Sequence, residues 1–508
     1  MQHAIPADDS FKARSLLSTV ASVAADAALA ERGVDSATLA TRMAAVIDDR
    51  LAAGRNQALI MCAYYKGVEI VHVAGGRVRQ PGRNLAWRPV QPSDLFAVFS
   101  VSKGVTSAAL LSLVSDGRVS YETPAAEVWP DLNGRAGTVR DVASHRAGVP
   151  LLAWCLAVLV LPLTFGQFVW PRVWRWMCHL VAWHSRRVQL LPDGTRHATY
   201  HQVSYSFLIG SLIERVAHCP LGAAVRTAVA ERLHLAASAR SGSARAEQFF
   251  LGEVPASVDE RIVRIERPPC GASSLLRGEE ASAAGPPDAS LLRRLILGVV
   301  APLEGRVICG LCNQRTWRRL LLPSSNGYFT AQAVGRVFGA LASGGVVRVG
   351  EGSDSSGEGG EWARLASSEV LDELTRRLAD PAGDVASTHP DLGDLPATHA
   401  LAARESSGWF PWASAELHGA RAARRVLNSE GMGGTAAWAD PAEGLAVAVL
   451  KNVYEPLSAL GGSISPDVVA CATELRAALG LEDQLLEDAP PPSRRTRRSP
   501  LRARGARR

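Results

Sequence analysis

Two hairpin signatures near opposite ends of the chain constrain its fold more than anything between them. Residues 58–76 run Ala-Leu-Ile-Met-Cys-Ala-Tyr-Tyr, a turn at Lys66-Gly67, then Val-Glu-Ile-Val-His-Val-Ala-Gly-Gly. The second arm alternates, and both arms are rich in strand-forming residues. Residues 435–439 and 445–450 flank Asp440-Pro-Ala-Glu-Gly444, a turn between two further strands. Helices are expected over 11–30, which is rich in Ala, and over 466–479. Strands at both ends with helical patterns between them are compatible with an α/β arrangement. With 508 residues, 47% hydrophobic and 20% charged, the chain can bury a large core. Length alone admits two to four domains, or one large unit with insertions. Three stretches read as insertions: 238–290, polar with two Pro-Pro pairs; 350–361, a Gly/Ser/acidic run; and 380–395.

Chemistry enters at Ser100-Val-Ser-Lys103. The chain holds 55 Lys plus Arg, yet its lysines are only Lys12, Lys66, Lys103 and Lys451. Where charge alone suffices this sequence uses Arg, so a Lys three residues after a Ser carries information. A guanidinium stays protonated in a protein, whereas a desolvated ammonium can become a base. If Ser100 opens a helix, Lys103 lies one turn on, with its amine within reach of the hydroxyl. Ser-x-x-Lys is an arrangement of serine acyl-transfer enzymes; a Ser capping a helix that happens to carry Lys gives the same spacing. An apolar helical pattern follows (Val105, Ala108, Ala109, Leu113) and stops at Asp116-Gly117.

Three further segments accompany it. Val128-Trp-Pro-Asp131 precedes Thr138-Val-Arg-Asp-Val-Ala-Ser-His-Arg-Ala-Gly-Val-Pro150. Leu191-Pro-Asp-Gly-Thr195 leads to Tyr200-His-Gln-Val-Ser-Tyr-Ser-Phe-Leu-Ile-Gly210. Near the C-terminal hairpin stands Asn428-Ser-Glu-Gly-Met-Gly-Gly-Thr-Ala-Ala-Trp-Ala-Asp-Pro441. Together with the Ser100 motif, these resemble the class C β-lactamase-like serine hydrolases, most of all their esterase-like branch. The resemblance is dense over 58–150 and 199–220 and patchy elsewhere up to 452.

The resemblance implies an antiparallel sheet, built from N- and C-terminal strands and flanked by helices, with a helical region carrying the nucleophile helix. It implies Ser100 as nucleophile, and Lys103 and Tyr200 as the groups that move the proton. The backbone amides of Ser100 and Met432 would form the oxyanion hole. Gln202, Ser325, Asn326, Ser429 and Gly431 are the expected pocket residues. Ser325 and Asn326, in Leu322-Pro-Ser-Ser-Asn-Gly327, are equally compatible with a purely architectural turn. His145 and His201 are expected to be structural.

The chain departs from the family at the third motif. Relatives place Lys, His or occasionally Trp where this chain has Ser429, and a small residue at Glu430. The cation for a substrate carboxylate is therefore missing, and Glu430 is expected to repel an anion. That favours neutral esters over β-lactams or peptidyl carboxylates. It also keeps open a catalytically impaired scaffold or a membrane-surface interaction protein on the same fold.

The expected organisation is a helical extension over 1–50, the hydrolase domain over 51–485, and a Pro/Arg-rich tail over 486–508. That tail holds eight arginines, so the net charge of +6 leaves the remainder nearly neutral. No nucleic-acid partner is expected. Residues 151–169 are almost wholly apolar, with tryptophans in and just after them. A buried or pocket-lining helix is the first expectation there. Peripheral membrane contact through 151–169 or the Arg tail is the second. Eight irregularly spaced cysteines exclude a secreted disulfide framework, and the lone Cys309-x-x-Cys312 lacks a second pair for zinc. No metal or organic cofactor is expected for the reaction. Asp8 and Asp9 fall where a targeting segment would be positive, which predicts a cytoplasmic protein.

Overall fold

The computed structural model describes residues 16–17, 23–54, 56–79, 86–132, 134–149, 169–188, 201–236, 247–267, 301–350, 360–379, 426–455 and 465–481. The first strand, β1 (Leu16–Leu17), and the helices α1 (Val23–Leu29) and α2 (Ser36–Ala52) precede the first hairpin. A helix over the whole of 11–30 is therefore not formed, because Leu16 and Leu17 pair with Ala74 and Val73 instead. Asp35 starts α2 by accepting the amide of Thr38 on its side chain. The hairpin follows as β2 (Ala58–Tyr65) and β3 (Val68–Arg79), then β4 (Trp87–Pro89) and β5 (Phe96–Ala97).

The helical region includes α3 (Val101–Ser115), α4 (Val139–Ala143), α5 (Trp170–His184) and α6 (Tyr205–Ala217). After it come β6 (Phe249–Leu251), β7 (Gly327–Phe329), α7 (Ala331–Ala342), β8 (Val346–Arg348) and β9 (Trp362–Arg364). The chain returns as β10 (Leu427–Gly431), β11 (Thr435–Asp440), β12 (Leu445–Lys451) and α8 (Pro466–Ala478).

The main sheet has the order β1-β3-β2-β12-β11-β10, with β4 paired to β3, and all its pairs are antiparallel. The two hairpins meet where β12 lies against β2, with Val447 opposite Ala63. Both faces of these central strands are covered. Ile60, Cys62, Tyr64, Ala446 and Ala448 face the core shared with α3 and α7. Leu59, Met61, Ala63, Val447 and Val449 face a second core closed by Leu39, Met43 and Ile47 of α2 and by Val468, Cys471 and Leu475 of α8. At about 1.5–3 kcal/mol per large buried aliphatic side chain, these two layers supply most of the drive to fold.

A buried charge cluster pins the second layer. The Lys451 ammonium donates to Asp467 at 2.7 Å and to the Ser465 hydroxyl at 3.2 Å. Arg50 and Asn56 donate to the same carboxylate at 2.9 and 2.7 Å. Burial alone would raise Asp467, but the Lys451 charge and these donors hold it at about 2.

A small sheet, β5-β7-β6, sits where α3 starts. Phe250 of β6 pairs with Tyr328, and Phe96 of β5 pairs with Phe329. Residues 238–290 are thus not irregular throughout. Within that polar stretch, three residues form a buried strand.

Candidate active site

Helix α3 begins one residue after Ser100. Ser100 occupies the N-cap position with helical φ and ψ, and its side chain makes no capping hydrogen bond. The residue before it is strained: Phe99 holds a φ of +47°, a conformation costing on the order of 1–3 kcal/mol and typical of functional turns. Its neighbours fix it there. Val98 donates its amide to the Gly327 carbonyl at 3.0 Å. The Phe99 ring meets Tyr454 edge-on at 6.1 Å. Gly433 leaves room for the ring, since a Cβ there would stand 3.2 Å from Phe99 Cε2.

Lys103 is wholly buried one turn into the helix. Its Nζ donates to Ser100 Oγ at 3.2 Å, to the Gln202 carbonyl at 3.0 Å and to the Ser324 carbonyl at 2.9 Å. Burial pulls its ammonium from 10.5 down to about 7. The Tyr205 ring centroid lies 5.9 Å from Nζ, but its phenol is engaged elsewhere, with the Ser107 hydroxyl and the Ala143 carbonyl. Tyr200 lies outside the described residues. The segment just after it reaches the site through the Gln202 carbonyl, while the Gln202 side chain is exposed.

Strand β10 closes the other side. Ser429 is buried, and its hydroxyl donates to the Ser100 carbonyl at 3.2 Å. Gly104 makes this approach feasible: a Cβ on it would stand 3.0 Å from Ser429 Cβ and 2.9 Å from the Phe338 ring. Gly431 is equally constrained, at 2.4 Å between a built Cβ and the Val98 carbonyl oxygen. The tight turn over 431–434, closed by Gly434 N–H to the Gly431 carbonyl at 3.1 Å, holds Met432 between Gly431, which abuts the Val98 carbonyl, and Gly433, which abuts the Phe99 ring.

Of the two readings of the loop over 322–327, Asn326 follows the architectural one, and the contact to Lys103 comes from Ser324. Ser324 supplies the carbonyl to Lys103, and its hydroxyl and amide bond Ser206 at 2.7 and 3.0 Å. Ser325 is half-buried in the turn. Asn326 donates its amide to the Trp317 and Leu320 carbonyls, both at 2.7 Å, which spends it on the loop's own shape. Ser102 accepts the Gly327 amide and Thr106 donates to the Pro323 carbonyl, both at 2.9 Å, so α3 and the loop are stitched together.

His145 and His201 are buried beside Lys103. His201 donates its backbone amide to His145 Nδ1 at 3.2 Å, and its ring bonds Ser204. Burial holds both imidazoles neutral, His201 at about 4, with the Lys103 charge acting in the same direction.

Beta-lactamase is the family model that matches, over residues 43–460. The chain belongs to the beta-lactamase family. Among curated proteins, "Esterase/beta-lactamase LipL" of Mycobacterium tuberculosis is 24% identical over 397 residues, covering 77% of this chain and 76% of that protein. Among solved structures, a family VIII carboxylesterase superposes with a TM-score of 0.57 at 19% identity, covering 87% of this chain and 97% of its own. A penicillin-binding protein homologue from Caulobacter crescentus gives 0.55 at 20%, covering 91% and 99%. These structures share the fold of an antiparallel sheet flanked by helices.

One expectation drawn from the family's third motif fails. Glu430 does not face the site. Along β10, Ser429 pairs with Ala437, which belongs to the core around α3, whereas Glu430 pairs with Ala436, which belongs to the core around α2 and α8. Alternation of side chains therefore sends Glu430 to the far face. There its carboxylate accepts from Asn428, two residues back on the same face, at 3.0 Å. Burial raises the carboxyl to about 7, against the pull of that hydrogen bond.

Proposed function

We propose that this member of the beta-lactamase family is an esterase-like acyl hydrolase working through a covalent acyl-serine intermediate. The observation that carries the proposal is Lys103: a buried amine at 3.2 Å from Ser100 Oγ, with its pKa pulled to about 7. Neutral Lys103 takes the hydroxyl proton, directly or with Tyr200, as Ser100 Oγ attacks the ester carbonyl. The amides of Ser100 and Met432 hold the oxyanion. Collapse breaks the ester C–O bond, and the alcohol leaves with the proton. Water then attacks the acyl-serine under the same base, releasing the acid and restoring Ser100. The names of the mycobacterial relative and of the carboxylesterase neighbour support this reading. Ser429 offers no cation, so neutral acyl groups are preferred to carboxylate-bearing ones. Short-chain p-nitrophenyl esters should be hydrolysed by the purified protein and not by Ser100→Ala. Turnover retained in that variant would refute the assignment.

A second reading concerns place of action and rests on α5. Trp176 is 51% and Trp183 47% exposed, and Arg172, Arg175, Arg186 and Arg187 are exposed around them. Tryptophan beside arginine suits an anionic bilayer surface. Among the described residues no single helix is long and apolar enough to cross a membrane. The contact proposed is peripheral, made by the exposed Trp and Arg side chains of and just after α5. The apolar run over 151–168 lies outside the described residues. Flotation with phosphatidylserine vesicles, using protein lacking residues 486–508, should be lost in Trp176→Ser/Trp183→Ser. No flotation of the parent protein would dismiss the contact.

A further inference from the structure

We propose that Cys62, Glu69 and His72 form a binding site for a divalent transition-metal ion, zinc foremost, in the layer between the first hairpin and α7. A thiol sulfur, a carboxylate oxygen and an imidazole nitrogen from these residues lie within 4.8 Å of one another. None of them takes part in the acyl-transfer site.

The backbone builds this cluster in two steps. Cys62 and His72 are directly opposite in the β2–β3 register, so they share a face. Glu69 stands an odd number of residues from His72 and would ordinarily point the other way. A bulge between Ala63 and Tyr64 shifts the register there, pairing Glu69 with Tyr64. Bulges re-aim side chains in this manner.

Donor chemistry and surroundings fit a metal better than a hydrogen-bonded triad. His72 is buried, and its Nε2 has no hydrogen-bond partner among the described residues. Its Nδ1 stands 3.8 Å from Glu69 Oε1, too far for a hydrogen bond. Donors around a tetrahedral zinc lie about 3.3–3.5 Å apart, given bond lengths of about 2.0–2.3 Å. Small side-chain adjustments therefore close the shell. The other carboxylate oxygen is already oriented, accepting from Tyr64 and from Gln332 of α7, each at 2.8 Å. Such outer partners are what fix metal ligands. Gly335 of α7 lets the helix approach: a Cβ there would lie 3.2 Å from Cys62 Sγ. A thiol–imidazole–carboxylate set selects zinc over magnesium or calcium. On binding, the Cys62 thiol gives its proton to solvent and its sulfur bonds the metal. Thiolate and carboxylate then balance the dication, which matters beside the buried Arg336 guanidinium. Water completes the shell on the half-buried Glu69 side. The ion would clamp β2, β3 and α7 together.

Chelator-stripped full-length protein titrated with cobalt(II) chloride tests this. The expected result is about one cobalt per chain, with visible d–d bands and a near-ultraviolet thiolate charge-transfer band that zinc abolishes by displacement. Cys62→Ala should lose the charge-transfer band. Glu69→Gln, at a half-exposed position that leaves the core intact, should weaken binding at least tenfold. Failure of the wild type to take up cobalt would overturn the proposal, as would d–d bands without the thiolate band. Wild-type affinity in Glu69→Gln would overturn the ligand set, whatever the folding of Cys62→Ala.

Discussion

At the scale of single residues, the proposed chemistry rests on an amine that burial makes available as a base. Lys103 must be neutral to accept the Ser100 proton, and burial places its pKa at about 7. Activity should therefore fall as pH drops through about 7, because protonation removes the base. Lys103→Arg keeps the charge but cannot deprotonate, and turnover of p-nitrophenyl acetate should fall by at least about 10²-fold, the size of a lost general base. Wild-type rates in that variant would remove Lys103 from proton transfer. Ser429→His restores a potential cation toward the substrate. It should improve turnover of carboxylate-bearing donors such as nitrocefin, through a charge-assisted bond of roughly 1.5–3 kcal/mol. Glu430→Gln should leave those rates unchanged, since Glu430 lies on the far face of β10. A large change in Glu430→Gln would contradict the strand register.

At the scale of elements, the decisive contact is between α3 and β10. Gly104 is the residue that permits it, with 3.0 Å between a built Cβ and Ser429 Cβ. Gly104→Ala should cost about 1–3 kcal/mol by overpacking and should lower the proposed esterase activity by moving β10 off Ser100. Urea unfolding and steady-state rates on the same preparation measure both effects. Elements also show where a sequence is readable. The hairpins were legible because alternating apolar residues and Gly punctuation are local signals. Ser100 and Lys103 were legible because helical spacing places them together. The Ser324 carbonyl was not, since a backbone acceptor leaves no mark in residue type. Glu430 was misplaced because its direction depends on a one-residue phase along β10. The pairing of β6 with β7 was hidden because only three residues of a polar stretch take part.

At the scale of the whole molecule, two cores share one sheet, and the buried cluster around Asp467 ties α8 to α2 and β12. Asp467 is held below its ordinary value, so its contribution is fully present above pH 4 or so. It is lost as pH falls through about 2. Asp467→Asn should reduce stability at pH 7 by on the order of 2 kcal/mol or more, because the buried Lys451 loses one of its two carboxylate partners, keeping Glu455, and Arg50 loses its pairing with Asp467. It should also flatten the acid limb of the stability profile, which thermal melts across pH would reveal. A variant as stable as the wild type at pH 7 would contradict this.

The central claim is that Ser100 is a nucleophile activated by Lys103. It is tested most directly by fluorophosphonate labelling of the purified protein, followed by peptide mapping. The account predicts one phosphonylated site, on the peptide carrying Ser100, with labelling absent in Ser100→Ala and strongly slowed in Lys103→Arg. An unlabelled wild-type protein, or label retained in Ser100→Ala, would contradict it.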